Sequence, residues 1–531
     1  MRLGEYLVAL LERHGVEHVF GIPGVHTAEL YRGLAGSRIR HITPRHEQGA
    51  GFMADGYARL TGKPGVCFVI TGPGVTNIAT AMAQAYQDSV PMLVISGVNA
   101  TGQLGHGDGN LHELPDQRAL ASQIAAFSHT LLRPQNLPAV LDRAFAIFKA
   151  GRPRPVHIEI PLDVMATEVG RATVGEPPGM LPPSPSAAAL GQAAMVLAGA
   201  ERPLILVGGG ACRAGRAVAA LAERLDAPAV MTVNARGLIP PRHPLAVPAS
   251  PSLRPVRRLI AESDVVLAIG TEIGPTDYDL YAEGGFAIPG RLVRIDIDPV
   301  QMVRNRAPEL ALPGDAATAA AALAERLGPA RKDAGGAARA QTARDAALSS
   351  LSPAMQAHVA FLNGIRDALP GSVIVGDSTQ PVYAGNLYYE PDAPGGWFNS
   401  ATGYGTLGYA LPAAIGAKLG APERPVVCLA GDGGLQFTLA ELGSAIDAGT
   451  PIIVLVWNNR GYREIKDYFR ARGIEPIGVD LATPDFVAIA KAYGFAAERV
   501  GAREKLSQLL KAAAVRPGPT LIEVDEAAIM G

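Results

Sequence analysis

Cysteine is scarce: three residues in 531, Cys67, Cys212 and Cys428, lie far apart, each in or beside an apolar run. That excludes a disulfide-held scaffold and predicts buried thiols in a reducing compartment. Long apolar stretches are missing as well, and none approaches the roughly 18 residues of a membrane helix. The opening MRLGEYLVALLERHGVEHVF carries charges throughout an amphipathic pattern, so it does not read as a signal peptide; a soluble, cytoplasmic protein is expected. Charge of one sign is absent too. With 47 basic and 49 acidic residues, net −2, nothing electrostatic favours nucleic acid or an anionic membrane as partner. What is present is apolar: 48% hydrophobic against 18% charged residues describes a well-packed globular chain, long enough for about three domains.

Two breaks divide it. GEPPGMLPPSPSA (175–187) is proline-dense and can hold neither helix nor interior strand. ARKDAGGAARAQTARDAALSSLSP (330–353) is small, polar and Ala/Gly-rich, a looser connection with some helical character. Domains are expected at 1–175, 188–328 and 354–531. Each alternates short β-branched runs with helical periodicity, which predicts an α/β chain of three doubly wound parallel sheets. VCFVITG, PMLVISG and VHIEI read as buried strands of the first, PLILVGGG, DVVLAIG and RLVRIDI of the second, SVIVGD, PVVCLAGD and PIIVLVWNN of the third. The outer two resemble each other: strand, glycine turn, helix, then a proline entering the next strand. Gly72 to Pro91 spans 19 positions and Gly431 to Pro451 spans 20, but only the second copy carries an acid in its turn.

That acid is the chemical clue. In LAGDGGLQFTLAELGSAIDAGTPIIVLVWNNRGYREI (429–465), Gly431 and Gly433 let backbone N–H groups approach an anion at a strand end, with a helix expected near Phe437. Asp432 offers a hard oxygen, and Asn459, 27 positions later at the next strand end, offers another. A buried carboxylate there needs a cation. Asp432, the Asn459 side chain and the Gly461 carbonyl, with two diphosphate oxygens and a water, would give magnesium its six ligands.

GDG followed at this spacing by NN resembles the thiamine diphosphate-binding motif. Over its whole length the chain is similar to the acetolactate synthase/pyruvate decarboxylase superfamily, whose order is pyrimidine-binding, middle and diphosphate-binding domain. The resemblance implies thiamine diphosphate with Mg2+, and an active site shared between the first domain of one subunit and the last of another. A homodimer at least, and a homotetramer as the fuller assembly, follow from it. Residue by residue, TPRHEQGAGFMADGYAR carries Glu47 as the acid at the coenzyme's pyrimidine N1′, where it favours the imino tautomer that deprotonates C2. Pro23 and the TGPG loop (Thr71, Gly72, Pro73) would face the pyrimidine. Ser378, Thr379 and Gln380 of GDSTQPVY, with Gly431, Gly433 and Gly434, would hold the diphosphate. In ATGYGTLGYALPAAIGAKLG the Gly405 carbonyl would accept from the 4′-amino group, and Leu407 would be the wedge that bends the coenzyme. Ile465 would lie against it, where pyruvate decarboxylases carry a glutamate.

Such a coenzyme decarboxylates 2-oxo acids, and the protein decides whether an aldehyde or a ketol leaves. GIPGVHTAELY puts Val25 and His26 over the reacting carbon, and His26 matches the histidine of benzaldehyde lyase-like members. The middle domain lacks the flavin-contacting pattern of acetolactate synthases, so FAD is not expected. The group most resembled decarboxylates 5-guanidino-2-oxopentanoate, through GIPGVHTAELYRGL, LHELPDQRAL, TEIGPTDYDLY and WNNRGYREI. A guanidinium calls for a planar carboxylate. GDGNLHELPDQ (107–117) supplies Asp108, Glu113 and Asp116, with His112 and Gln117 as further substrate contacts and Glu113 as first choice. Alternatives are a carboligase or lyase of 2-hydroxy ketones and, far less in keeping with intact Glu47, Asp432 and Asn459, a non-catalytic scaffold.

Overall fold

The computed structural model describes residues 1–170, 174–278, 287–332 and 334–530. Three six-stranded, all-parallel sheets follow one another along the chain. The first holds β1 (His18–Gly21), β2 (Arg40–Ile42), β3 (Gly65–Val69), β4 (Met92–Val98), β5 (Phe127–Thr130) and β6 (Val156–Pro161). The second holds β7 (Pro203–Val207), β8 (Ala229–Met231), β9 (Ala246–Val247), β10 (Val265–Ile269), β11 (Arg291–Asp296) and β12 (Leu310–Pro313). The third holds β13 (Val373–Gly376), β14 (Trp397–Asn399), β15 (Val426–Gly431), β16 (Ile453–Asn458), β17 (Ala496–Val500) and β18 (Thr520–Asp525). Every expected strand named above forms. β3, β4, β7, β10 and β15 are buried throughout, as strands covered by helices on both faces must be.

The likeness of the outer segments extends to topology. The strand orders are β2-β1-β3-β4-β6-β5 and β14-β13-β15-β16-β18-β17, one permutation repeated. The middle sheet runs β12-β11-β10-β7-β8-β9 and is built differently.

The outer domains join through two helices, Glu47–Thr61 and Ala410–Gly420. Glycines set their separation: a Cβ on Gly56 would lie 2.0 Å from the Ala413 carbonyl oxygen, and one on Gly416 would lie 1.8 Å from that of Met53. Residues of both helices and both sheets share one core, including Phe52, Met53, Tyr409, Leu411 and Ile415.

Two expectations are corrected. Cys212 is exposed, ending a short 3-10 turn, because the chain leaves β7 one turn earlier; Cys67 and Cys428 are buried. The helix after the acidic turn begins at Asp432 itself, and Phe437 falls in a 3-10 turn before a second helix, Glu441–Asp447. The helical character expected in segment 330–353 is the helix Gly336–Ser350, whose Ala340, Ala343 and Ala347 pack in the core cluster with residues of the middle sheet. The last three residues of TEIGPTDYDLY (279–281) lie outside the described residues. Among the described residues no helix is long and apolar enough to cross a membrane.

Candidate active site

Asp432 sits at the carboxyl end of β15, fully buried, as the first residue of its short helix. Its Oδ1 accepts from Asn459 N at 3.2 Å and its Oδ2 from Gly461 N at 2.9 Å, so the end of β16 is bound to the end of β15. Burial pushes its carboxyl above the usual range, against the pull of those amides. The Asn459 side-chain oxygen stands 3.0 Å from the Gly461 carbonyl oxygen and 3.2 Å from Asp432 Oδ1, while Asn459 Nδ2 donates to Gln380 Oε1. Turning the amide over would let it donate to both oxygens, but would then set its own oxygen against Gln380 Oε1. With its oxygen turned toward Asp432 and Gly461, the Asn459 amide would complete a set of three oxygens able to receive a cation. Neighbouring ligands of an octahedral ion at about 2.1 Å are about 3 Å apart, the spacing seen.

The cradle around this point is tight. A Cβ on Gly433 would meet the Tyr462 ring at 2.7 Å, and one on Gly434 would meet Asp377 Oδ1 at 3.2 Å. Asp377 is buried, accepts from Ser378 N at 2.8 Å, and is pushed up to about 6 by that burial. Thr379 precedes the helix Gln380–Leu387 with no side-chain capping bond, leaving that helix start open for an anion. A groove lined by Asn459, Arg460, Tyr462, Arg463, Lys466 and Asp480 opens from here, and Ile465 is exposed beside it.

In the first domain Glu47 is buried as the first residue of its helix, and its Oε2 accepts from Asn77 Nδ2 at 2.9 Å. Glu441, from the last domain, holds the entry to that helix across the domain junction by accepting from Arg45 N and His46 N, each at 3.1 Å, while His46 Nδ1 caps the helix by accepting from Gln48 N. Burial raises the Glu441 carboxyl. Gly49 is required beneath it, since a Cβ there would lie 2.2 Å from Glu441 Oε1. Neither Asn77 nor Glu441 was read from sequence.

Gly72, at φ +64, turns β3 into the helix Pro73–Asp88. Loop 107–117 lies on that turn. Gln117 accepts from Gly72 N at 2.8 Å and donates to Ser96 Oγ, the Gly97 carbonyl and Glu159. A Cβ on Gly72 would strike the His112 carbonyl oxygen at 2.4 Å. His112, in the left-handed region at φ +60, meets the buried His26 edge to face, with ring centres 5.1 Å apart. Among the described residues, His26 Nδ1 and Thr71 Oγ1 are buried with no hydrogen-bond partner. Burial lowers the His26 pKa, and His112 lowers it further. Val25 and Pro23 are exposed beside them.

Three substrate expectations change here. The amide of Gln117 is consumed by internal bonds. Glu113 organises its own loop, accepting from Gly107 N at 2.9 Å and from Asn110 N at 2.8 Å, which holds its carboxyl below the usual range. Asp116 accepts from Ala119 N at 2.8 Å as a helix cap. Asp108 is the loop carboxylate left facing outward, 3.6 Å from His106.

Gly405, exposed at φ +73, and the half-buried Leu407 belong to the loop before the helix Ala410–Gly420.

Residues 1–120 match the model for the thiamine pyrophosphate enzyme N-terminal TPP binding domain, 190–323 its central domain, and 377–524 its C-terminal TPP binding domain. The chain is 50% identical over 530 residues to the "Probable 2-ketoarginine decarboxylase AruI" of Pseudomonas aeruginosa, covering 99% of this chain and 94% of that one. It is 32% identical to the acetolactate synthase large subunit of Parasynechococcus marenigrum, covering 98% and 86%. With the acetolactate synthase isozyme 1 large subunit of Escherichia coli the identity is 30%, covering 98% and 93%.

Proposed function

The chain belongs to the thiamine pyrophosphate enzymes, and from that premise we propose that it removes carbon dioxide non-oxidatively from a 2-oxo acid, 5-guanidino-2-oxopentanoate, leaving the aldehyde. The observation that supports the coenzyme and metal assignment is the convergence of the buried Asp432 carboxylate, the Asn459 side-chain amide and the Gly461 carbonyl, with the amide 3.2 Å from Asp432 Oδ1 and 3.0 Å from the Gly461 oxygen. One carboxylate, one amide and one carbonyl form a hard, weakly charged set, suited to Mg2+ that shares its remaining positions with a diphosphate. Ser378, Thr379, Gln380 and the Gly431–Gly434 turn would receive that diphosphate.

Thiamine diphosphate, when bound, supplies a carbanion and an electron sink for the departing carboxylate. The chain supplies the rest. Glu47, oriented by Asn77, would exchange a proton at the pyrimidine nitrogen. Gly405 and Leu407 would fix the coenzyme's bend, and Thr71, Gly72, Pro73, Pro23 and Ile465 would line its flanks. His26, kept neutral by burial and by its neighbour His112, would move the proton that separates aldehyde from ketol. Val25 would wall the reacting carbon. Asp108 replaces Glu113 as the proposed partner of the guanidinium, because its carboxylate is exposed beside His106, whereas Glu113 and Asp116 are taken up by backbone amides of the loop.

Pairing Glu47 with Asp432 of a second copy makes the assembly a homodimer or a pair of homodimers. The exposed apolar residues Val25, Leu111 and Phe437 fit such a contact. The acetolactate synthase relatives favour a second reading, carboligation. Incubation with 5-guanidino-2-oxopentanoate and with pyruvate, followed by product identification, separates the two: 4-guanidinobutanal supports the proposal, and acetolactate from pyruvate as the dominant product overturns it.

A further inference from the structure

The loop that carries Gly405 and Leu407 cannot hold its own shape. Within six positions it has three glycines at positive φ, Gly403, Gly405 and Gly408, so its unfolded alternatives are many. Its shape is imposed from the first domain, by the far end of the Pro73–Asp88 helix. Gln84, fully buried, donates through Nε2 to the Thr402 carbonyl at 3.3 Å and accepts through Oε1 from Thr406 N at 3.5 Å, one side chain spanning the loop's two ends. Asp88 accepts from Thr402 Oγ1 at 3.3 Å. A Cβ on Gly403 would lie 3.1 Å from Asp88 Oδ1, so the loop backbone is seated directly on that carboxylate.

The clasp is itself anchored. Arg59 donates to Asp88 Oδ2 at 2.5 Å and to Asp55 Oδ1 at 2.7 Å, its guanidinium also reaches Asn234 of the middle domain at 3.4 Å, and it lies over the Phe398 ring. Gln84 Nε2 reaches Asp88 at 2.8 Å as well. Tyr409, just past the loop, donates to Asp55. All three domains meet at this cluster.

We propose that Gln84 and Asp88, held by Arg59, are positioning residues that set where Gly405 and Leu407 stand. This rests on the reading of Gly405 and Leu407 given under Proposed function. It also assigns the two helices a double role. Glu47 and Asn77 bond at one end of the pair, Arg59 and Asp88 at the other, about 17 to 18 Å away at 1.5 Å per residue. One rigid pair would then present the acid to one coenzyme and shape the loop that bends another.

The test uses Gln84→Met, which keeps the volume and removes both polar ends, and Thr402→Val, which removes the hydroxyl shared between Asp88 and the Asn399 carbonyl. Amide exchange by mass spectrometry is read first on coenzyme-free protein. The proposal expects the peptide over 400–408 to exchange about tenfold faster in Gln84→Met, and less so in Thr402→Val, with the Glu47 helix unchanged. Exchange at wild-type rate in both overturns it, and so does acceleration spread over both helices, which marks a general packing role. Deuterium exchange at coenzyme C2 is then compared with coenzyme affinity. A loss of about tenfold in C2 exchange, with affinity held within about threefold, supports positioning. Parallel losses of both overturn it. Leu407→Ala separates the premise from the proposal: wild-type C2 exchange there sinks the role given to Leu407, whereas the coenzyme-free loop measurement is untouched by that result.

Discussion

Asn77 donates to Glu47 at 2.9 Å, from the helix beside the one Glu47 begins. A carboxylate that must meet a ring nitrogen needs one oxygen held and the other free, and this bond holds one. Asn77→Leu should therefore lower C2 deuterium exchange by about tenfold with coenzyme affinity nearly unchanged, the effect of one lost bond to a charged group. Unchanged exchange would remove Asn77 from the catalytic geometry.

Glu47→Gln should bind coenzyme and lose most C2 exchange, because an amide can hydrogen-bond a ring nitrogen but cannot trade a proton with it. Calorimetry and exchange measured on the same preparation check both halves.

Asp432→Ala should lose metal and coenzyme binding together, since Asn459 and Gly461 are arranged around that carboxylate. Coenzyme affinity that survives in metal-free buffer would dismiss the cation from the site.

Co-expressing Glu47→Gln with Asp432→Ala tests the shared site. When sites pair the first domain of one copy with the last of its partner, half of randomly mixed dimers carry one intact centre. About a quarter of wild-type activity should return. Recovery near zero would place both residues in one chain's own site.

Burial of Asp377 predicts a pH effect on stability. Its folded value, about 6, lies above its ordinary one, so the folded state binds the proton more tightly than the unfolded state. That stabilisation is present below about pH 4 and is lost as pH rises through about 6, by no more than roughly 3 kcal/mol. Asp377→Asn should flatten the melting temperature against pH across that window; an unaltered profile would mean the carboxyl stays ionised.

Much of the architecture is legible in the chain because parallel strands covered on both faces must be apolar runs, and the repeated glycine turns mark where those runs end. Asp432 and Asn459 could be found for the same reason: both terminate runs. The residues that orient them could not. Glu441 reaches the Glu47 helix across 396 positions and Thr402 reaches Asp88 across 314, distances over which no periodicity speaks. Loop 107–117 misled in another way. Its acids suggested a ligand, but Gly107 and Gly109, both at positive φ, turn their amides back, and those amides together with Asn110 claim Glu113.

The repeated strand order leaves one further consequence, and it concerns stoichiometry. Aligning the two turns sets Pro73, in Gly72–Pro73–Gly74, opposite Asp432, in Gly431–Asp432–Gly433. Proline has neither an N–H to offer a phosphate nor an oxygen to offer a metal in its side chain. Although the chain holds the same sheet twice, only the second carries the residues proposed for a metal and a diphosphate: titration should saturate at one metal and one coenzyme per chain, however many chains assemble.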